Sequence, residues 1–362
     1  MRAAVLRACP GELEVAELRI DAPLGREVLV RTAAAGLCHS DLHALDGKMP
    51  VPVPVVMGHE SSGVVEAVGA DVQHVSPGDH VVTCLSAFCG RCDFCLTGQP
   101  YLCSADSRRA GTAAPRLSEG GAPVGQFAGL GSFAEQLLVH ENAVVKIDPD
   151  FPLAPAALLG CAVVTGVGAV LRTARVEPGS SVAVIGCGGI GLNCVQGAVL
   201  AGARQVIAVD IAGPKRDLAT QFGATQTVDA SSGDAVDQVL ELSPGGVDYA
   251  FEAIGLTATA EQAFAMVRRG GTATIVGVLP HGAELTLPGR GVLSGKRLQG
   301  SVMGSNRFVL DIPCYVEFYR QGRLKLDELV SARIRLDEIN DGYRTLLKGA
   351  VARSVVVFPD VA

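Results

Sequence analysis

The chain has 362 residues, more than one hydrophobic core usually organises, so two domains are expected. Its 30 basic and 37 acidic residues leave a net charge of −7, with neither sign in a long block, which argues against nucleic acid or an anionic membrane surface as a partner. Eleven cysteines, several at C-x-x-C spacing, favour thiolate ligation in a reducing compartment over a disulfide framework. No run of about 18 apolar residues occurs. Met1 to Arg7 leads directly into a strand-like alternation, so a cytoplasmic location is expected.

From Val5 to about Val145, short β-branched runs at Val28–Arg31, Gly63–Val68 and His80–Thr83 alternate with turns such as Ser76-Pro77-Gly78-Asp79. This pattern predicts an irregular, mainly β region. Within it, Cys89, Cys92, Cys95 and Cys103 form C-x-x-C-x-x-C followed by seven residues and a fourth cysteine. Four thiolates on one short loop satisfy a tetrahedral zinc ion, and an iron–sulfur cluster is the rival occupant. With no ligand position to spare, such an ion would order a loop that has too few apolar residues to fold alone. Ser104 to Gly131 is rich in Gly, Ala, Ser and Pro, which predicts a long surface excursion.

The texture changes after Pro178-Gly179. Ser181–Ile185 reads as a buried strand, Gly186-Cys187-Gly188-Gly189-Ile190-Gly191 as a turn, and Ile190–Ala201 as a small-residue helix ending at Gly202. The next strand, Gln205–Val209, is closed by Asp210, nineteen residues after Gly191. Strands Val247–Phe251 and Thr272–Val276 follow, each after a helical segment, which is the alternation of a doubly wound parallel sheet. In this context the glycine turn predicts a dinucleotide site. Gly186 permits the tight turn, Gly188 lets pyrophosphate approach the backbone, and Gly191 lets the helix pack closely, its N-terminus facing the phosphates. The Asp210 carboxylate can accept from both adenosine ribose hydroxyls and would repel a 2′-phosphate, so NAD is expected over NADP. The tail from Gly304, with a helix near Glu338–Leu347 and a strand Ser354–Phe358, is short for a domain and is expected to rejoin the first one.

Gly58-His59-Glu60-x-x-Gly63 followed by Gly69, together with Gly36-Leu37-Cys38-His39-Ser40-Asp41-Leu42-His43, resembles the zinc-dependent medium-chain alcohol dehydrogenases. The resemblance extends through the cysteine lobe and the cofactor turn to Ala352-Arg353-Ser354. The texture, including the long excursion, is similar to the glutathione-dependent formaldehyde dehydrogenase branch. An α/β architecture is implied: a GroES-like, mainly β catalytic domain (1–162 and 304–362) and a doubly wound Rossmann cofactor domain (163–303). Two zinc ions per subunit are also implied. One would be structural, on Cys89, Cys92, Cys95 and Cys103. The other would be catalytic, on Cys38, His59 and Cys161, with Glu60 behind it as an occasional ligand. Taken singly, each of these three residues would be read as core.

The same resemblance implies a proton path from the alcohol through Ser40 and the cofactor ribose to His43. Alongside the turn residues Gly186, Gly188, Gly189, Ile190, Gly191 and Asp210, it implies cofactor contacts from Lys215, His39, Arg353, Thr165 and Val278. Many relatives have arginine where His39 stands, so faster cofactor release is expected. Met49, Leu85, Val278 and Met303 should line an apolar pocket for a medium aliphatic, allylic or benzylic alcohol. A homodimer is implied, joining cofactor-domain strands around Thr272–Val278 and Leu298–Met303. The expected activity is hydride transfer between NAD and an alcohol–carbonyl pair. The alternatives are oxidation of an S-hydroxymethyl-thiol adduct, with Arg108, Arg109 and Arg116 as candidate cations for its carboxylates, and a non-catalytic NAD-binding role.

Overall fold

The computed structural model describes residues 1–103, 115–349 and 352–359. The chain divides into two compact units, Met1–Cys161 with Arg307–Ala362, and Ala162–Asn306.

The first unit is built on strand Glu27–Gly36, which is long enough to pair with three partners. Its start pairs antiparallel with Gln136–His140, its length with Glu60–Val68, and its end with the tail strand Arg353–Val357. Strand His80–Cys84 continues the sheet from Glu60–Val68, in a register that sets Glu60 opposite Cys84. The Ser76–Asp79 turn joins these two strands, closed by the Ser76 N–H donating to the Asp79 carboxylate at 2.9 Å. Beneath the sheet, Leu37, Leu42, Met57, Phe133, Tyr343 and Val356 form one buried cluster, which holds the end of Glu27–Gly36 firmly where Cys38 follows.

Two segments differ from the sequence expectation. The described part of the excursion is not loop throughout: Leu117–Glu119 and Ala122–Gln126 form a hairpin that buries Leu117 and Val124. Gly120 and Gly121, at φ +54° and +88°, make its two-residue turn. Gly-Gly between such runs is a hairpin signal, but strands of three and five residues are too short to show alternation in glycine-rich surroundings. Arg108 and Arg109 lie outside the described residues. In the tail, Phe308–Arg320 is a helix that the pattern hid, because Pro313 sits inside it.

The second unit contains six parallel strands. Numbered in chain order they lie 3-2-1-4-5-6: Gln226–Asp229, Gln205–Asp210, Ser181–Ile185, Val247–Glu252, Val267–Ile275 and Arg297–Gly300. Ser181–Ile185 is buried at every residue, as a central strand covered on both faces must be. Thr272 pairs with Arg297 and Ile275 with Gly300 within the one chain. The strand around Thr272 is therefore internal, and the sheet edge expected there is formed by Arg297–Gly300 instead. Among the described residues no single helix is long and apolar enough to cross a membrane.

Candidate active site

In the first unit, three separated segments bring Cys38, His59 and Cys161 together, with their ligand atoms all within 4.8 Å of one another. Cys38 follows the strand end and N-caps helix His39–Leu45, while His59 immediately precedes strand Glu60–Val68. Cys161 depends on Gly160, where a Cβ would lie 2.0 Å from the Thr83 carbonyl oxygen, so that only glycine lets this segment approach the sheet. All three residues are at least 96 % buried.

Cys161 Sγ and His59 Nε2 are 3.4 Å apart. A tetrahedral zinc ion holds a sulfur and a nitrogen donor about 3.5 Å apart, so the donor set fits that ion. Hydrogen bonding from Cys161 holds the Cys38 thiol well below its usual range against the cost of burial, helped by the charge of Arg353. The Cys161 thiol is pushed correspondingly up, by that same hydrogen bond and by burial.

One contributor escaped the sequence reading. Asp41 is fully buried, and its Oδ1 lies 2.9 Å from His59 Nδ1, while its Oδ2 accepts from the Cys38 N–H at 3.2 Å. This carboxylate fixes the orientation of the imidazole and leaves Nε2 on the side of the sulfurs, where it would meet a metal ion. Phe127 was also missed: its ring meets the His59 ring edge-on at 5.8 Å. It sits in the stretch read as surface excursion.

Glu60 is buried and lies behind this set, its Oε1 3.6 Å from Arg353 Nη1. Arg353 itself is 2 % exposed and donates to the Leu37 carbonyl at 2.8 Å. Ser40 sits in the first helical turn, its Oγ 3.7 Å from Cys38 Sγ. Half-buried His43 follows three residues later on the same face, and His39 is exposed. Met49 and Leu85 are half-buried. Arg116 is committed elsewhere, to Glu27 at 2.9 Å and Asp21 at 3.2 Å, and is not available to a substrate carboxylate.

The cysteine lobe is a second, closed group. Its sulfurs lie 3.5 Å apart for Cys92 and Cys95, 3.8 Å for Cys92 and Cys103, and 3.9 Å for Cys89 and Cys95. Four sulfurs around one tetrahedral ion stand about 3.8 Å apart. The Arg91 and Cys92 N–H groups donate to Cys89 Sγ, and the first of these leads the effects that bring its pKa down to about 6.

In the second unit, Gly186 has φ +91°, and a Cβ on Gly191 would lie 1.7 Å from the Gly186 carbonyl oxygen. A Cβ on Gly188 would meet nothing within 4 Å, which leaves that face of the turn open to a phosphate. Gly189 and Ile190 begin helix Gly189–Leu200. Asp210 anchors the turn by accepting from the Cys187 N–H at 2.8 Å and the Ala212 N–H at 2.9 Å. Lys215 lies in the first turn of helix Gly213–Gln221. Thr165 Oγ1 is 3.5 Å from Met303 Sδ, and Val278 is 59 % exposed.

A thiolate–imidazole metal set in one unit and a dinucleotide turn in the other define a metal-dependent dehydrogenase. Residues 25–149 match the alcohol dehydrogenase GroES-like domain, and residues 189–320 match the zinc-binding dehydrogenase domain. The chain is 39 % identical to the NDMA-dependent alcohol dehydrogenase of Amycolatopsis methanolica, over 98 % of both chains. It is 37 % identical to the S-(hydroxymethyl)glutathione dehydrogenase of Saccharomyces cerevisiae, over 98 % of this chain and 95 % of that one. The solved benzyl alcohol dehydrogenase of Acinetobacter calcoaceticus superposes with a TM-score of 0.93 at 35 % identity, covering 99 % of each chain. The protein belongs to the zinc-binding alcohol dehydrogenase family and is an oxidoreductase.

Proposed function

We propose that the protein is an NAD-linked dehydrogenase with two zinc ions per chain, interconverting a medium aliphatic, allylic or benzylic alcohol with its aldehyde or ketone. The convergence of Cys38, His59 and Cys161, one donor short of a closed tetrahedron, carries this reading. Zinc held there would supply Lewis acidity toward the alcohol oxygen. Two thiolates there would balance the charge of such an ion. Ser40, whose hydroxyl lies beside Cys38, would take up the alcohol proton, and His43, half-buried one turn along, would be the outer group that passes it to water. Asp210 takes the ribose hydroxyls, the open face at Gly188 receives the pyrophosphate, and Lys215, His39, Thr165 and Val278 complete the cofactor contacts. Arg353, buried beside Glu60, would be a further pyrophosphate contact, and Glu60 an occasional metal ligand. Zinc in the cysteine lobe holds its fold only.

The reading extends to a cytoplasmic homodimer. The dimer is supported by the sheet edge at Arg297–Gly300 and by Leu293, four residues before that strand and 88 % exposed. The test of the activity is a panel of alcohols assayed with NAD and with NADP, with formaldehyde added alone and with glutathione. Oxidation of aryl or aliphatic alcohols with NAD is expected. Turnover confined to formaldehyde plus glutathione would establish the adduct reading favoured by the yeast relative, and no turnover with NAD would contradict both.

A further inference from the structure

Two charged side chains beside the nucleotide turn have no part in the reading above. Arg216 lies in the first turn of helix Gly213–Gln221, immediately after Lys215. Its Nη1 donates to the Asp210 backbone carbonyl at 2.8 Å, and its Nη2 to Asp229 Oδ2 at 2.7 Å. Asp229 ends the neighbouring parallel strand, in register with Asp210. Its other carboxylate oxygen accepts from the Ser231 N–H at 2.9 Å and the Ser231 hydroxyl at 2.6 Å. A guanidinium is therefore fastened at the end of the strand whose carboxylate, Asp210, the reading above assigns to the adenosine ribose.

That placement matters chemically. An arginine near the end of the second strand is the group that accommodates a ribose 2′-phosphate, because its planar fork of N–H donors matches phosphate oxygens. Asp210 alone would repel a 2′-phosphate, but a guanidinium bonded to its backbone carbonyl would offset the repulsion. Here both arms of the fork are occupied, one by the Asp210 carbonyl and one by Asp229, and the Asp229 charge cancels its own. The Arg216 side chain is 17 % exposed and that of Asp229 34 %, so the pair stands where solvent and coenzyme can reach it.

We propose that Asp229 is a specificity-determining residue: by holding Arg216 against the Asp210 carbonyl, it withholds the guanidinium from the ribose 2′ position and keeps the site selective for NAD. This rests on the NAD reading above. Selectivity then has two layers, a carboxylate at Asp210 that repels the extra phosphate and a second carboxylate that disarms its natural counter-ion.

The test is titration of the full-length, zinc-loaded protein with NADH and with NADPH, following the coenzyme's own fluorescence. The chain contains no tryptophan to interfere. Wild type should prefer NADH. Asp229→Asn should tighten NADPH by about three- to fivefold, the scale of one partly exposed ion pair, while NADH shifts by less than about twofold. Arg216→Gln, which uncovers the Asp229 charge, should move the ratio further towards NADH, and this variant decides the matter should Asp229→Asn fail to fold. Adding Arg216→Gln to Asp229→Asn should abolish the gain for NADPH. Unchanged NADPH affinity in Asp229→Asn, a gain that survives in the double variant, or tighter NADPH binding by Arg216→Gln would overturn the proposal. A wild type that binds NADPH as tightly as NADH would instead overturn the NAD reading on which it stands.

Discussion

Asp41 shows how much of the site rests on a residue that binds nothing itself. It is fully buried and spends both oxygens on its neighbours, one on His59 Nδ1 and one on the Cys38 N–H. Asp41→Asn should therefore accelerate loss of zinc from the site at Cys38 by about ten- to hundredfold, while zinc in the cysteine lobe is retained. A chromophoric chelator resolves the two phases, and identical release from wild type and variant would refute the role. The convergence of Cys38, His59 and Cys161 was legible because their types and neighbouring glycines form a recognisable pattern. Asp41 lay inside that pattern, but its partner is 18 residues away and only the fold joins them. Phe127 was hidden for a similar reason, since its contact with His59 arises from a turn that no periodicity announces.

Elements were legible where burial imposes a period. The five buried residues of Ser181–Ile185 and the turn after them had one sensible interpretation, and the helix start lies within a residue of the expected one. The hairpin at Leu117–Gln126 and the proline-containing helix Phe308–Arg320 were not legible, because short strands and an internal proline erase the period. The turn is also where a single methyl should be decisive. Gly191→Ala would place a Cβ 1.7 Å from the Gly186 carbonyl oxygen, an overlap that the helix can relieve only by withdrawing from the turn. Coenzyme binding should weaken by roughly tenfold or more, as expected for overpacking in a close contact, with both zinc ions kept. Fluorescence titration with NADH measures this, and unaltered affinity would contradict the assigned packing role.

The same sheet has a pH-sensitive fastening at its other end. Asp248 accepts from the Ser181 N–H and hydroxyl at 2.7 and 2.9 Å, and from Arg268 Nε at 2.6 Å. Burial opposes its ionisation, but the Ser181 and Arg268 donors outweigh that and hold its pKa below the usual carboxylate range. A carboxylate with a depressed folded-state pKa contributes stability that is present above its unfolded value of about 4 and is lost as pH falls through the folded value. Asp248→Asn should cost about 1–3 kcal/mol at neutral pH, and the difference in Tm from wild type should narrow below about pH 4. A difference that persists unchanged in acid would argue against charge as the source.

At the scale of the whole molecule, the tail is part of the catalytic unit and no appendage. Val355, Val356 and Val357 pair with Gly36, Ala35 and Ala34, and Arg353 reaches back to the Leu37 carbonyl, one residue before Cys38. The last strand was visible in the sequence, but a strand does not declare its partner. The pairing follows from the apolar faces of Ala35 and Val356 meeting in one core cluster.

We propose that zinc on Cys38, His59 and Cys161 makes this family member an alcohol oxidant. Metal analysis combined with turnover of the Cys38→Ser variant under saturating NAD tests it most directly. Wild type should carry about two zinc ions per chain, and the variant about one, retained in the cysteine lobe, with alcohol oxidation abolished. A variant that loses one zinc and still oxidises every alcohol at the wild-type rate would contradict it.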